Sequence, residues 1–184
     1  MNVISSSCGN DSVALIQYAK ESGLDNVVVT YIDTGWAAPD WQDRVDLVQT
    51  YVESLGFKFV TIHSMGMEEL VRMKKGFPAN QYQFYTQHLK GVSFLEWIED
   101  YDKDKKAVVL VGKRRSESRA RANTPEYIYE SEYHGERTLW HPLYLHDDEQ
   151  RDELLKRAGF DVLPHRSQEC SPCINANKAD FILL

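Results

Sequence analysis

Two runs of β-branched residues constrain this chain more than any other feature: Val27-Val28-Val29 inside Asn26 to Ile32, and Val108-Val109-Leu110-Val111 inside Ala107 to Val111. A strand that is apolar without alternation must be covered on both faces, which helices on either side of a parallel sheet achieve. The intervening segments supply those helices. Ser12 to Ser22 carries Val13, Leu15, Ile16 and Ala19 at helical spacing and stops at Gly23, and Asp40 to Leu55 resumes the period and stops at Gly56. A first strand ends near Ser5, and Phe57 to Ile62 predicts a third. Met67 to Asp100 reads as mostly helical with a loop at Gly76-Phe77-Pro78. Tyr127 to Leu145 predicts a small hairpin turning at Gly135-Glu136, and Asp147 to Ala158 a helix closed by Gly159. Beyond Phe160 an irregular segment holds Cys170 and Cys173, and Ala176 to Leu184 predicts a last helix whose abrupt stop points to a missing helix or a partner surface. The expected fold is α/β, a doubly wound and mostly parallel sheet with helices on both faces. One domain is expected over residues 1–184, with the Cys-containing segment at about 160–184 as its irregular end.

Composition narrows the function classes. With 42% hydrophobic and 27% charged residues the chain has ordinary globular content, which argues against disorder. Its apolar runs fall far short of the roughly 20 residues a membrane helix needs. No basic segment followed by an apolar one opens the chain, so the expected compartment is the cytoplasm. Three cysteines, an odd number, fit reduced thiols or a metal site better than a disulfide framework. A net charge of −7 argues against broad nucleic-acid binding, yet five of the nine residues from Lys113 to Arg121 are Lys or Arg, a local basic pocket.

Three segments can carry chemistry, each with a plainer alternative. Ser5 to Ser12 joins a strand to a helix, where backbone amides and the helix dipole converge on anions and the Ser7 and Ser12 hydroxyls add hydrogen bonds. The alternative is a polar turn with Ser7 or Asn10 as N-cap. Asp33-Thr34-Gly35 ends the second strand, beside the first loop in a doubly wound sheet, so Asp33 can meet a ribose or a metal-bound phosphate; or it caps its own turn. Lys113 to Arg121 offers guanidinium groups suited to bidentate oxyanion binding, or a solvated face with Glu117 pairing Arg121.

The order Ser7-Cys8-Gly9-Asn10-Asp11-Ser12, then Ile32-Asp33-Thr34-Gly35-Trp36, then Gly112-Lys113-Arg114 with Glu117-Ser118-Arg119, then His141-Pro142-Leu143, resembles the phosphoadenosine phosphosulfate (PAPS) reductase family from about Ile4 to Cys173. The resemblance implies the PP-loop, adenine nucleotide alpha hydrolase-like fold, with ATP or PAPS as nucleotide ligand. It implies that Ser7, Gly9, Asn10, Asp11 and Ser12 surround the phosphates, that Asp33, Thr34 and Gly35 border the nucleoside, and that Arg114 and Arg119 hold a terminal oxyanion. Two departures stand out: Cys8 replaces the first loop glycine, and Asn10 stands where a Lys is often found, removing one positive charge.

The cysteines leave two readings open. Cys170 follows Glu169 as the nucleophile of assimilatory PAPS reductases does, and as a thiolate it can attack a sulfo group, with His165 and Arg166 near in sequence and Cys173 as a redox partner. Alternatively Cys170 and Cys173 are half of a zinc site to which His165 or His134 adds a nitrogen, the plainer reading being an inert structural pair. A four-Cys iron–sulfur cluster is disfavoured by the count. Where a cluster cysteine often precedes a Thr in related enzymes of DNA phosphorothioation and tRNA thiolation, this chain has Tyr85 before Thr86. The leading expectation is an enzyme that reduces or transfers the sulfo group of PAPS, or cleaves ATP between its α and β phosphates with magnesium near Asp11 and Asp33. The alternatives are a component of a nucleic-acid sulfur-modification system and a non-catalytic nucleotide-binding module. A thiol reductant or sulfur-delivery protein is the expected partner, nucleic acid stays open, a membrane is not expected, and an oligomer is.

Overall fold

A computed structural model describes residues 1–79 and 82–171. Six strands, β1 (Asn2–Ser6), β2 (Val27–Asp33), β3 (Lys58–His63), β4 (Val108–Val111), β5 (Tyr127–Ser131) and β6 (Arg137–Trp140), form one sheet in the order β3-β2-β1-β4-β6-β5. All neighbours run parallel except the edge pair β5–β6. Five α-helices accompany it: α1 (Asn10–Glu21), α2 (Trp41–Ser54), α3 (Met67–Lys74), α4 (Val92–Tyr101) and α5 (Asp148–Arg157).

The β-branched runs sit where their composition requires. Val3, Ile4, Val29, Val109 and Leu110 are fully buried on the central strands. Alternate residues enter different cores: Ile4, Val29 and Leu110 pack with α1, α2 and α5, whereas Val3, Ile32, Val109 and Leu139 pack with Phe94 and Ile98 of α4. The sheet is therefore covered on both faces, which is why neither face of its strands needs polar residues. A third cluster forms from α3, Phe84, Tyr85, Leu89 and Cys170.

Three details differ from the sequence pattern. Helix α1 begins at Asn10 rather than Ser12, because the Gly9 carbonyl accepts the Val13 N–H at 3.0 Å and draws the loop into the first turn. The segment from Met67 breaks at Gly76-Phe77-Pro78 as expected, after Lys75 ends α3 in a left-handed conformation, but a π-helical turn, Thr86–Gly91, precedes α4. The hairpin turns at Gly135-Glu136 but β6 stops at Trp140, with a register shift between Ile128 and Ser131 where Glu130 adopts φ 51°. The helix expected over Ala176 to Leu184 lies outside the described residues. No described helix is long and apolar enough to cross a membrane.

The hairpin is clamped to α4 from within. Arg137, with a fully buried side chain, pairs with Asp102 at 2.7 Å and Glu99 at 2.9 Å and also donates to the carbonyls of Ile98, His134 and Gly135. Beside it, His134 meets the Phe94 ring and shares a 2.9 Å hydrogen bond between Nδ1 and the Ser131 hydroxyl. Burial, reinforced by Lys113 and His141, pushes the His134 pKa down from 6.5 to about 4. Above the ordinary value the imidazole is neutral in folded and unfolded chain alike. As pH falls, the unfolded chain takes up a proton that the fold refuses, so stability declines between about pH 6.5 and 4, by roughly 2–3 kcal/mol at the lower end. Urea unfolding across that window should show the decline, and His134→Gln should remove this part of the slope; an unchanged slope in the variant would contradict it.

Candidate functional site

In open parallel sheets, ligands collect at the carboxyl ends of strands where the connection order reverses. Here the chain moves one way from β1 to β2 and the other way to β4, so the reversal lies between β1 and β4. The loop after β1 is held by its own short polar side chains. Ser12 Oγ accepts the Ser7 N–H at 3.0 Å and lies 3.2 Å from Ser7 Oγ, while Ser6 Oγ accepts the Cys8 N–H at 3.0 Å. Cys8 adopts φ 58°, a left-handed conformation that glycine takes without strain, which gives a physical reason for glycine at this position in similar loops. Gly9, the N-cap of α1, contributes no side-chain hydrogen bond, so the first-turn amides have no side-chain cap. The Cys8 thiol is fully buried, and burial above all pushes its pKa up to about 12, leaving it a neutral packing group.

The loop after β4 is locked to this turn. Arg114, 2% exposed, donates from Nε to Asp11 at 2.5 Å, from Nη2 to Asp148 at 2.9 Å, and from Nη1 to Ser116 Oγ at 2.8 Å and the His146 carbonyl. Burial raises the Asp11 pKa against the lowering pull of Arg114. A Cβ on Gly112 would lie 2.8 Å from the Asp11 carbonyl oxygen, so the backbones meet at the glycine's expense of a side chain. The two loops thus share one place, but the guanidinium expected to hold a ligand oxyanion is already filled by protein. Arg119 is exposed on a short 3₁₀ turn, and Glu117 pairs with Arg121 as the four-residue spacing suggests.

The C-terminal segment packs against the first of these loops. Asn10 makes paired hydrogen bonds with the Leu163 backbone, each 3.0 Å, so its side chain fastens this strap instead of facing a phosphate. Ser167 Cβ would stand 3.0 Å from a Cβ on Gly9. The strap then runs beside the loop after β2: Ala38 N–H donates to Gln168 O at 2.9 Å, Ser171 N–H to Trp36 O at 2.8 Å, and Thr34 Oγ1 to Glu169 O at 3.0 Å. Cys170 arrives 3.6 Å from Thr34 Oγ1, 7% exposed, in the apolar cluster that includes Tyr85. Glu169 is paired with Lys90 from the π-helical turn at 2.5 Å. Asp33 caps its own turn, accepting the Gly35 N–H at 2.8 Å, with His63 at 3.3 Å on its other oxygen. Gly35 opens onto a surface depression lined by Met65, Gly66, Met67 and Arg72.

Structure therefore brings Ser7, Gly9, Asp11, Ser12, Thr34 and Cys170 to one end of the sheet. His165 turns Nδ1 to the Arg166 carbonyl at 2.7 Å, and Cys173 lies outside the described residues. Among the described residues no group of three His, Cys, Asp or Glu side chains could hold a metal ion. Lys90, Arg44 and Ser167 were not singled out from sequence. None stands at a telling spacing; Lys90 reaches Glu169 across 79 residues and Arg44 reaches Cys8 across 36.

If Arg114 is a tie between loops, removing it strands the half-buried Asp11 charge. Arg114→Met should lower unfolding stability by about 3–5 kcal/mol, while Arg119→Ala stays within about 0.5 kcal/mol. Denaturant melts of both variants check this, and equal effects would contradict the assignment.

Comparison with known proteins bears on the fold and the family. The computed model superposes on the PAPS reductase of Candida auris in its phosphate complex with a TM-score of 0.58 at 17% identity, covering 88% of this chain and 74% of that one. The U34-tRNA thiolase NcsA of Methanococcus maripaludis, with its [4Fe-4S] cluster, gives 0.62 at 13% identity over 97% of this chain and 62% of that one. The NMN synthetase of Francisella tularensis gives 0.60 at 17% identity over 95% and 69%. These likenesses establish the PP-loop fold. No curated protein sequence matches the chain. The phosphoadenosine phosphosulfate reductase domain model matches residues 1–171, and the chain belongs to that family.

Proposed function

We propose that this chain is an enzyme that binds an adenine nucleotide at the loop from Ser7 to Ser12 and uses the Cys170 thiol on the sulfo group of PAPS. The observation that carries the reading is the strap. A segment more than 150 residues from the loop in sequence is tied to it through Asn10 and Leu163, and that tie delivers Cys170 beside Thr34 at the nucleotide end of the sheet. The amides of the first turn of α1 and the Ser7 and Ser12 hydroxyls receive phosphate oxygens. Asp33, Thr34 and Gly35 border the nucleoside. Arg119 remains available for a terminal oxyanion, while Arg114 acts through Asp11 by fixing the loop.

In the proposed step Cys170 loses its proton to solvent and its Sγ attacks the sulfo sulfur. A sulfur–sulfur bond forms, the sulfur–oxygen bond to the nucleotide breaks, and the electron pair leaves on the phosphate oxygen. One thiol of an external dithiol then attacks Cys170 Sγ and displaces sulfite, and its second thiol resolves the mixed disulfide, returning the Cys170 thiolate and leaving the dithiol oxidised; if Cys173 makes the first attack instead, the external dithiol reduces the resulting Cys170–Cys173 disulfide.

Magnesium-assisted cleavage of ATP is the second reading, supported by the fold shared with nucleotide synthetases. Its metal would draw on Asp11 and Asp33. Both carboxylates are engaged, one by Arg114 and the other by the Gly35 N–H and His63, and as placed they do not fit a magnesium set. No step is routed through that ion. Zinc at Cys170, Cys173 and His165 would draw on His165 Nε2, because Nδ1 is held by the Arg166 carbonyl.

Calorimetry with PAPS and ATP, followed by sulfite release with a dithiol reductant, tests the proposal. Cys170→Ser should keep PAPS affinity within about threefold and lower sulfite release by more than roughly 10³-fold. Full turnover in that variant would exclude the thiol route. Tight binding without turnover in the wild type would indicate a regulatory module, and turnover only with a nucleic-acid acceptor would indicate sulfur modification.

A further inference from the structure

Arg44 lies in the first turn of α2 and points at the phosphate loop. Its Nε donates to the Cys8 carbonyl at 3.3 Å, and its guanidinium lies 4.7 Å from the centroid of the Phe160 ring, just ahead of the strap. Its Nη2 is buried and has no hydrogen-bond partner among the described residues. The other deeply placed arginines are answered by acids: Arg114 by Asp11 and Asp148, Arg137 by Asp102 and Glu99, Arg151 by Asp148 and Asp152. Arg44 has no ion pair among the described residues. Burial lowers its pKa, only partly offset by the more distant influence of Cys8 and Asp161. On the same helix face three residues earlier, the Trp41 Nε1 is a second buried donor without an acceptor.

Arg44 is partly buried and has no ion pair among the described residues, and leaving its buried Nη2 unsatisfied costs free energy that an anion there would recover. The loop it touches, Ser7 to Ser12, carries no cation of its own, and the Asn10 side chain is engaged by Leu163. We infer that Arg44 supplies the cation of the phosphate loop, holding the loop through Nε and receiving a phosphate oxygen of the nucleotide through Nη2. This rests on the nucleotide-binding reading and adds to it the residue that selects for phosphate. Planar guanidinium geometry suits that double task, one nitrogen for the loop and another for the ligand.

A purely structural Arg44 would pin the loop and nothing more, and ligands differing only in phosphate separate the two roles. Wild type, Arg44→Gln and Arg44→Lys are titrated calorimetrically with adenosine, ATP and PAPS, with thermal melts of each ligand-free protein. Arg44→Gln is expected to weaken ATP and PAPS by about tenfold or more and to leave adenosine within about twofold. Arg44→Lys, which keeps a point charge without the fork, should fall between. Unchanged affinity for ATP and PAPS in Arg44→Gln overturns the inference, as does an equal loss on adenosine. Should Arg44→Gln fail to fold, Arg44→Lys decides: selective weakening of the phosphorylated ligands by at least about threefold supports the assignment, and equal affinity for all three overturns it. A wild type that binds none of the three removes the nucleotide reading itself, an outcome distinct from failure at Arg44 alone.

Discussion

The contact between Arg114 and Asp11 is the interaction on which the site end of the molecule depends. One buried guanidinium joins the first turn of α1, the loop after β4 and the start of α5, through Asp11, its own backbone and Asp148. Gly112 allows it, since any side chain there would strike the Asp11 carbonyl. Removing water from an ion pair is expensive, and this one is sustained by hydrogen bonds that saturate the guanidinium on all three nitrogens. The loops around the crevice where strand order reverses are consequently held in register by the protein itself.

Around that tie, the side chains divide between holding and offering. Asp11, Asn10 and Arg114 are occupied by the protein, and Cys8 is a buried neutral thiol whose left-handed backbone shapes the turn. The first-turn amides of α1 have no side-chain cap, Arg44 of the neighbouring helix leaves Nη2 unsatisfied among the described residues, and the strap brings Cys170 to Thr34. Lys90 belongs to the same end, where its pairing with Glu169 sets a buried charge pair next to Cys170.

Much of the scaffold was legible in the sequence because it is local. The β-branched runs, the glycine stops and the Asp33-Thr34-Gly35 turn each announce their structure within a few residues, and the four ordered blocks placed the loops after β1, β2 and β4 at one end. Even the pairing of Glu117 with Arg121 follows from spacing alone. What was not legible is who partners whom across long separations. Nothing near Arg114 in sequence says that its guanidinium is filled by Asp11, 103 residues away. Likewise the π-helical turn that sets Lys90 against Glu169 breaks the helical period on which a sequence reading relies.

The double hydrogen bond between Asn10 and Leu163 spans 153 residues, and that span bears on how the molecule comes into being. Chains emerge amino end first, and contacts between distant positions form late because a long loop must close before they can. The phosphate turn is therefore among the earliest segments synthesised and among the last to be finished. Until Leu163 has left the ribosome, the nascent protein can hold its sheet partners but lacks the strap that fastens the turn after β1.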